Sequence, residues 1–291
     1  MLPNFIVIGA AKAGTTALYW YLAEHPDVFM SPVKETNFFA YGVDESGKLL
    51  YGNPELHQYP IRTLADYEKL FDDAGDAVAV GEASPIYLEC PQAAGRIRDR
   101  LPEAKLICGI RQPVERAYSD YLMYLRFKGT RLEPARDLSS GAQWAQPGSH
   151  WMQIGRYYEQ LKRYYDVFPR HQIHVFLFDD LQRDALGTVQ GMYRFLGVDP
   201  TFAPDFDTPH NVGGVPASMF LEKMLTNKVI RSAVAPWASV RAVNWMRRLR
   251  TRNMRKAPPL SRALRGELTT HFRQDIEKTS ELIQRDLKHW L

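Results

Sequence analysis

The sequence predicts an α/β fold, a three-layer domain with a central parallel sheet flanked by helices. Short apolar runs alternate with helical patterns along the chain, and these runs are apolar throughout, which is typical of strands buried on both faces. The first run also ends in a glycine-bearing turn that opens a helix. The 291 residues suit one domain, predicted over 1–291, with a helical, basic C-terminal portion from about 216.

The first predicted strand, Asn4–Ile8, is a short apolar run that ends at Gly9. A helix should follow, because Thr15 or Thr16 can cap an apolar segment that Pro26 ends. Strand, glycine-bearing turn and helix together form the context in which phosphate-binding loops occur.

The middle of the chain repeats this alternation. Three more apolar runs predict strands, and helical periodicity or a leading proline predicts the helices around them. The predicted strands are 77–84, 104–110 and 173–178, and the predicted helices are 65–71, 91–100, 114–127, 154–168 and 185–196. Gly42–Pro60 is predicted as a surface loop, and the polar segment Gly129–Gly148 as a lid or substrate loop.

Composition excludes several classes of protein. Apolar residues at 45% and charged residues at 24% are ordinary globular values, so disorder is not expected. No apolar run approaches the roughly 18 residues that cross a bilayer, and no basic leader precedes the first one, so we expect neither a membrane span nor a signal peptide. Cys90 and Cys108 lack metal-type spacing, which favours a reduced, cytoplasmic protein.

Positive charge is concentrated towards the C-terminus. Between Glu222 and Glu267 there is no acidic residue, while Lys and Arg number twelve. Three interpretations of the basic stretch 229–256 stay open: a solvated helix face, peripheral contact with a membrane or anionic lipid, or part of a substrate cleft. Nucleic-acid binding is not expected, because no aromatic platform or recognised motif accompanies the charge.

The stretch GAAKAGTT, Gly9–Thr16, is similar to a P-loop, but its lysine lies two residues before Gly14 instead of directly after it. A helix N-terminus attracts phosphate through its unpaired N–H groups and partial positive charge. The alternative is a plain strand–helix turn with a surface lysine. We predict an anion site here, formed by Lys12, Ala13, Gly14, Thr15 and Thr16.

A second candidate anion site lies in RQPVERAYS. Arg111 follows a predicted strand, at the sheet edge where open α/β folds bind ligands, and its planar fork suits phosphate. Ser119, in the next helix, could share the same anion. An ordinary capping or surface arginine is the alternative.

Two further stretches contain residues that could bind a substrate or accept its proton. KETNFF holds Lys34, Glu35 and Asn37, and a glutamate beside aromatic residues could be partly desolvated and accept a proton near neutral pH. GEASP holds Glu82 and Ser84 at another strand end. The alternatives are a surface Lys–Glu pair in the first stretch and simple helix capping in the second.

Together these stretches resemble the sulfotransferases that use 3′-phosphoadenosine 5′-phosphosulfate (PAPS), particularly the branch of the heparan sulfate sulfotransferases and their bacterial relatives. The resemblance implies in-line transfer of a sulfuryl group from PAPS to a hydroxyl or amine of a small molecule, carbohydrate or lipid, without a metal ion. Lys12 would contact the bridging oxygen and sulfonate, with the loop's later residues on the 5′-phosphate. Arg111 and Ser119 would hold the 3′-phosphate, and Glu35 would be the general base.

The chain departs from the heparan-acting relatives at three places. Ala83 stands where they carry a lysine, Asn37 stands where they often carry a histidine, and no cysteine lies past Cys108 to close a basic loop over the donor. These departures argue against a heparan-like acceptor. A magnesium-dependent nucleotide kinase and a non-catalytic protein that binds anions or membranes remain as alternative functions.

Overall fold

The structure is a computed structural model that describes residues 1–41, 61, 63–207, 214–226, 249 and 251–291. The chain divides into two compact units. The first comprises Met1–Gln112, Arg156–His210 and Arg273–Leu291, and the second comprises Pro113–Gly155 and Asn211–Phe272. The single domain expected over 1–291 therefore stays a prediction.

The first unit contains a five-stranded sheet whose paired strands are all parallel. Its spatial order is β2-β3-β1-β4-β5. The strands are β1 Phe5–Gly9, β2 Val28–Met30, β3 Ala79–Ala83, β4 Lys105–Ile110 and β5 Ile173–Leu177. The predicted P-loop-like α/β fold is confirmed. Only β2 was not predicted, because a three-residue run gives too weak a pattern.

Helices connect and cover these strands. In chain order they are α1 Thr15–Ala23, α2 Leu64–Lys69, α3 Ile86–Glu89, α4 Ala93–Arg100, α5 Pro113–Lys128, α6 Pro134–Asp137, α7 His150–Gln153, α8 Tyr157–Tyr165, α9 Phe178–Arg183, α10 Ala185–Leu196, α11 Met219–Thr226 and α12 Arg262–Ile283. The second unit also contains a short antiparallel pair, β6 Val215–Pro216 and β7 Met254–Arg255.

Strand β1 is buried on both faces, as its uninterrupted apolar sequence predicts. Phe5 and Val7 belong to a hydrophobic cluster with residues of α1 and α10. Ile6 and Ile8 are equally buried but lie outside that cluster, as expected when successive side chains point to opposite faces of a strand. Because helices cover both faces of the sheet, we expect the site where the strands end.

Two predicted segments differ from the structure for identifiable reasons. The helix predicted over 154–168 is the shorter α8, because the carboxylate of Asp275 accepts hydrogen bonds from the N–H groups of Tyr157 (2.8 Å) and Tyr158 (3.2 Å) and so caps it there. The strand predicted to reach Phe178 ends one residue earlier, and Phe178 begins α9, a helix that the sequence pattern did not indicate.

The segment 129–148 is more ordered than its polar sequence suggests. It contains α6 and a fully buried Trp144, whose indole N–H donates to the carbonyl oxygen of Asp137 at 2.7 Å. The predicted surface loop 42–60 lies outside the described residues, as does most of the basic stretch 229–256. Within the described part of the C-terminal portion, α11 and α12 are helical, but Met254–Arg255, for which the sequence predicts helix, forms β7 because it pairs with β6. None of the helices described is both long and apolar enough to cross a membrane.

Candidate active site

GAAKAGTT forms the turn between β1 and α1, as predicted. Lys12 and Gly14 both adopt left-handed backbone conformations, with φ of 71° and 87°. Within the described residues, no side chain caps the N-terminus of α1. The first N–H groups of this helix therefore suit an external anion, and the half-buried Lys12 and Thr16 lie in the same turn.

Gly14 is required both by its backbone conformation and by its neighbours. A Cβ at this position would lie 2.9 Å from Cδ2 of Leu181 and 3.2 Å from the ring of Phe178. Both neighbours belong to α9, which packs directly against the loop. Any larger residue would strain the turn at φ 87° and push α9 away, so the loop and α9 depend on each other.

Arg111, at the end of β4, reaches the same loop. Its guanidinium Nη1 donates to the carbonyl oxygen of Lys12 at 3.3 Å and lies 4.7 Å from the ring centre of Phe178. β1 and β4 are neighbours in the sheet, so two cationic residues 99 positions apart meet at one edge. Ser119 is half-buried on α5, in the second unit, and its proposed partnership with Arg111 stays a prediction.

KETNFF extends the chain beyond β2 and runs beside the end of β3. The N–H of Glu35 donates to the carbonyl oxygen of Ala83 at 3.0 Å. Glu35 and Asn37 are non-glycine residues with left-handed backbones, at φ of 62° and 56°. Asparagine adopts this conformation fairly often, whereas a glutamate held in it is less common, and such residues cluster at functional sites, so Glu35 is a candidate.

Glu35 is not enclosed by the neighbouring aromatic residues, contrary to the expected desolvation. Its side chain is 48% exposed and pairs with the ammonium of Lys34, which is 19% exposed. The ring of Phe38 instead stacks on Tyr67 at 4.5 Å, and Phe39 contacts the same ring. The aromatic residues anchor the segment and leave the Glu35 carboxylate open to a substrate.

A buried carboxylate, Glu82, lies beneath this segment. Its oxygens accept hydrogen bonds from the hydroxyls of Tyr67 (3.1 Å), Tyr87 (2.7 Å) and Ser84 (2.6 Å). The hydroxyl of Thr36 adds a fourth interaction through Tyr87, at 3.0 Å. Burial raises the pKa of the Glu82 carboxyl, against the opposing effect of these hydroxyls.

The network fixes the backbone next to Glu35. Ser84 Oγ accepts the N–H of Asn37 at 3.0 Å, and the hydroxyl of Tyr87 accepts the N–H of Phe39 at 3.4 Å. The network therefore holds both Thr36 and Asn37. Because these residues directly follow Glu35, they limit its freedom to leave the left-handed conformation. We call this set the Glu82 network: Thr36, Tyr67, Glu82, Ser84 and Tyr87.

Three of the four residues expected to contact an acceptor are enclosed in the structure. Glu82 and Ser84 are 0% exposed and Asn37 is 2% exposed, with its amide donating to the hydroxyl of Tyr41 at 3.1 Å. Their hydrogen bonds to the chain itself hold the segment in place, and their contact with an acceptor stays a prediction. Lys34, which pairs with Glu35, keeps its predicted place beside the site.

No three His, Cys, Asp or Glu side chains of the described residues are grouped closely enough to hold a metal ion. Metal independence stays a prediction, argued from charge and not from this observation. Both cysteines are free and buried, and burial raises the pKa of the Cys90 thiol.

Comparison with known proteins decides the family. The sequence model described as the sulfotransferase family matches residues 3–203, more than half of the chain. This chain belongs to the sulfotransferase family. The crystal structure of a sulfotransferase from Alicyclobacillus acidocaldarius is 31% identical and superposes with a TM-score of 0.71, over 100% of this chain and 99% of that one.

Two curated sulfotransferases match shorter stretches. The membrane-associated sulfotransferase kil1 of Dictyostelium discoideum is 34% identical over 142 residues, which is 47% of this chain and 26% of that protein. The human heparan sulfate glucosamine 3-O-sulfotransferase 3B1 is 34% identical over 124 residues, 43% of this chain and 27% of that protein. The chain thus spans about a quarter of the length of these relatives.

Sulfotransferases are enzymes that transfer a sulfuryl group, and the family implies PAPS as the sulfate donor. The sequence predicted this family, the loop and both cationic residues, but it did not predict α9 or the roles of Thr36, Tyr67 and Tyr87. The tyrosines are isolated in sequence and join the site only through the fold. The sequence pattern predicts Phe178 at the end of a strand, which gives no indication that its ring faces Gly14.

Proposed function

We propose that this protein transfers the sulfuryl group of PAPS to a hydroxyl of an acceptor molecule, without a metal ion. The observation that supports this best is the meeting of Lys12 and Arg111 at one sheet edge, where Arg111 Nη1 lies 3.3 Å from the carbonyl oxygen of Lys12. A bisphosphorylated donor offers two anionic groups, and the chain brings the residues Lys12 and Arg111 and a helix N-terminus to one sheet edge.

The donor would lie with its 5′-phosphosulfate on the loop. The N–H groups at the start of α1 and the hydroxyls of Thr15 and Thr16 would hold the 5′-phosphate, next to Ala13 and Gly14. Lys12 would contact the bridging oxygen. Arg111, with Ser119 as its proposed partner, would hold the 3′-phosphate, which ATP lacks, and this would select PAPS over ATP.

The reaction is a single in-line displacement at sulfur. The acceptor oxygen forms a bond to sulfur while the bond from sulfur to the bridging oxygen breaks, and 3′-phosphoadenosine 5′-phosphate (PAP) leaves. Lys12 stabilises the negative charge that develops on that bridging oxygen. The exposed carboxylate of Glu35 accepts the acceptor's proton, and Lys34 beside it orients that carboxylate.

Metal independence follows from charge. A transferring sulfonate carries about one negative charge less than a terminal phosphate, so less neutralisation is needed than in phosphoryl transfer. One lysine and a helix N-terminus supply that neutralisation without magnesium. The kinase alternative, in contrast, would require both magnesium and a donor without the 3′-phosphate.

For the acceptor we propose only a chemical class. It is a hydroxyl, with an amine as the second choice, on a carbohydrate, lipid or other small molecule. Two relatives are a heparan sulfate glucosamine 3-O-sulfotransferase and a carbohydrate sulfotransferase, which favours a carbohydrate. Ala83 in place of the lysine of the heparan-acting relatives favours a less acidic acceptor here. We further propose a cytoplasmic location, based on two free cysteines, and peripheral contact of 229–256 with anionic lipid.

One assay tests the reaction. The purified protein is incubated with sulfur-labelled PAPS, with and without magnesium, and with a panel of carbohydrate, lipid and amine acceptors. We expect label transfer that magnesium does not increase. Transfer that requires magnesium, or phosphoryl transfer from ATP in parallel reactions, would contradict the proposal. Sedimentation with vesicles of anionic lipid tests the membrane contact separately.

A further inference from the structure

Helix α9 (Phe178–Arg183) packs against both parts of the donor site. Its residues Phe178 and Leu181 fill the space in front of Gly14, where a Cβ would meet them at 3.2 and 2.9 Å. The ring of Phe178 also lies 4.7 Å from the guanidinium of Arg111. The position of α9 therefore sets the position of the loop turn and of the arginine together.

A helix of six residues does not hold its own place. Isolated helices shorter than about 12 residues are marginal in water, so tertiary contacts must fix α9. The C-terminal segment of the chain supplies these contacts. The indole N–H of Trp290 donates to Oδ2 of Asp179 at 2.6 Å, and His289 Nε2 lies 3.2 Å from the same oxygen. Arg285 pairs with Asp180 at 2.8 Å.

Trp290 also contacts the other half of the donor site. Its backbone carbonyl accepts a hydrogen bond from the side-chain amide of Gln112 at 3.2 Å, and Gln112 directly follows Arg111. Trp290 is 3% exposed, whereas its partner Asp179 is 37% exposed, so the contact is buried on the tryptophan side. One residue next to the end of the chain thus connects α9 to the turn that carries Arg111.

We propose that residues 285–291 act as a brace for the donor site, with Trp290 and Asp179 as positioning residues for donor binding. This inference rests on the proposed function, since the ligand is the PAPS or PAP bound by the loop. Neither residue touches the donor. The pair holds α9 against Gly14 and Arg111, so that the anion site is formed before the donor arrives.

Preorganisation of this kind affects binding more than folding. If the Trp290–Asp179 bond is lost, α9 can shift and both anion sites must be ordered when the donor binds, which lowers affinity. A purely structural role would lower the thermal midpoint but leave the affinity of the remaining folded protein unchanged. Donor affinity, measured well below the thermal midpoint, therefore separates the two roles.

The test measures PAP binding to the full chain by isothermal titration calorimetry. Trp290→Phe keeps the ring and the backbone carbonyl but removes the indole N–H. We expect PAP affinity to fall roughly tenfold, the scale of one hydrogen bond to a charged group. The matched control is Arg170→Ala, which removes a 2.9 Å bond to the carbonyl of Leu282 near the end of α12, before residues 285–291; in the described part of the chain no hydrogen bond or ion pair joins Arg170 to α9.

A second pair of variants keeps the test decisive if Trp290→Phe does not fold. Asp179→Ala removes the acceptor and should weaken PAP binding, whereas Asp179→Asn retains a carbonyl oxygen for the indole and should recover most of the affinity. In the double variant Trp290→Phe/Asp179→Ala the loss should be close to that of Asp179→Ala alone, because Asp179→Ala already removes the bond to Trp290 together with the contact to His289.

The outcomes distinguish this inference from the proposed function. If the wild-type protein binds PAP, and the folded Trp290 and Asp179 variants bind it as tightly as Arg170→Ala does, the brace is refuted and the donor site stands. If the wild-type protein does not bind PAP, the proposed donor is wrong and the brace fails with it.

Discussion

The donor loop and the Glu35 segment are both short turns at strand ends, but they reach their conformations in different ways. The donor loop contains Gly14, whose left-handed backbone is the one glycine adopts readily. KETNFF has no glycine, yet Glu35 and Asn37 adopt left-handed backbones as well. Lys12 in the donor loop is left-handed too, so each segment holds a non-glycine residue in that conformation. Gly14 makes the donor loop recognisable from the sequence, whereas contacts with residues distant in sequence hold the Glu35 segment.

This difference predicts which substitutions should disturb each half of the site. The donor half depends on residues adjacent in sequence and on the packing of α9 against them. The Glu35 half depends on the Glu82 network, whose members lie up to 51 residues apart. Changes within the loop should therefore affect donor chemistry directly, whereas distant changes in the Glu82 network should affect the base.

The largest effect should come from the loop. Lys12→Ala should lower turnover roughly 100-fold or more, because it removes the charge that stabilises the leaving oxygen. The measurement is the initial rate of transfer from labelled PAPS. Lys162→Ala, which removes an exposed lysine paired with Asp166 on α8, is the control and should retain the wild-type rate. A Lys12→Ala rate close to wild type would remove Lys12 from the mechanism.

A comparable effect is expected on the other half of the site. Glu35→Gln should lower turnover about 100-fold, since the amide cannot accept the proton, while PAP affinity stays unchanged. Single-turnover rates and PAP titration measure the two quantities. Glu103→Gln, at an exposed position before β4, serves as the matched control. If turnover in Glu35→Gln is near normal, the base must be sought elsewhere.

A smaller effect is expected for the second anion site. Arg111→Ala should weaken PAP binding by roughly tenfold, because a charge-assisted contact to the 3′-phosphate is lost and the carbonyl of Lys12 loses its partner. Binding of adenosine 5′-phosphate, which lacks the 3′-phosphate, should change less. Equal losses for both nucleotides would show that Arg111 only supports the loop.

The smallest effect on turnover is expected for Glu82→Gln, whose main signature is the pH dependence of stability. Burial raises the pKa of Glu82 above its ordinary value of 4.5, so the folded protein binds this proton more tightly than the unfolded chain. As pH rises through 4.5, the free energy of unfolding of the wild type should fall relative to Glu82→Gln, which does not titrate. Urea titrations between about pH 4 and 7 measure this difference.

A difference that does not change with pH would mean that Glu82 titrates alike in the folded and unfolded states. The turnover of Glu82→Gln should stay above that of Glu35→Gln, because the amide oxygen can still accept the hydrogen bonds of Tyr67 and Tyr87, although the NH2 group cannot accept that of Ser84. If its turnover falls as far as that of Glu35→Gln, Glu82 itself takes part in the chemistry.

The elements that sequence predicted well are those whose pattern is local. Strands β1, β3, β4 and β5 and helix α10 were found near their predicted bounds, because buried parallel strands are continuous apolar runs and Gly197 ends the helix. Helix α9 was missed, since its six residues follow β5 without an intervening turn residue. Its position depends on Trp290, more than a hundred residues further along the chain.

The sequence by itself determined the family, the fold class and the place of the donor loop, because a glycine turn between strand and helix, with a lysine inside it, is a local pattern. Only the tertiary structure decided that Arg111 reaches Lys12, that Glu82 is buried and not at a surface, and that Glu35 is exposed. The reason is that a side chain's burial and hydrogen-bond partners depend on elements distant in sequence, and no local pattern records them.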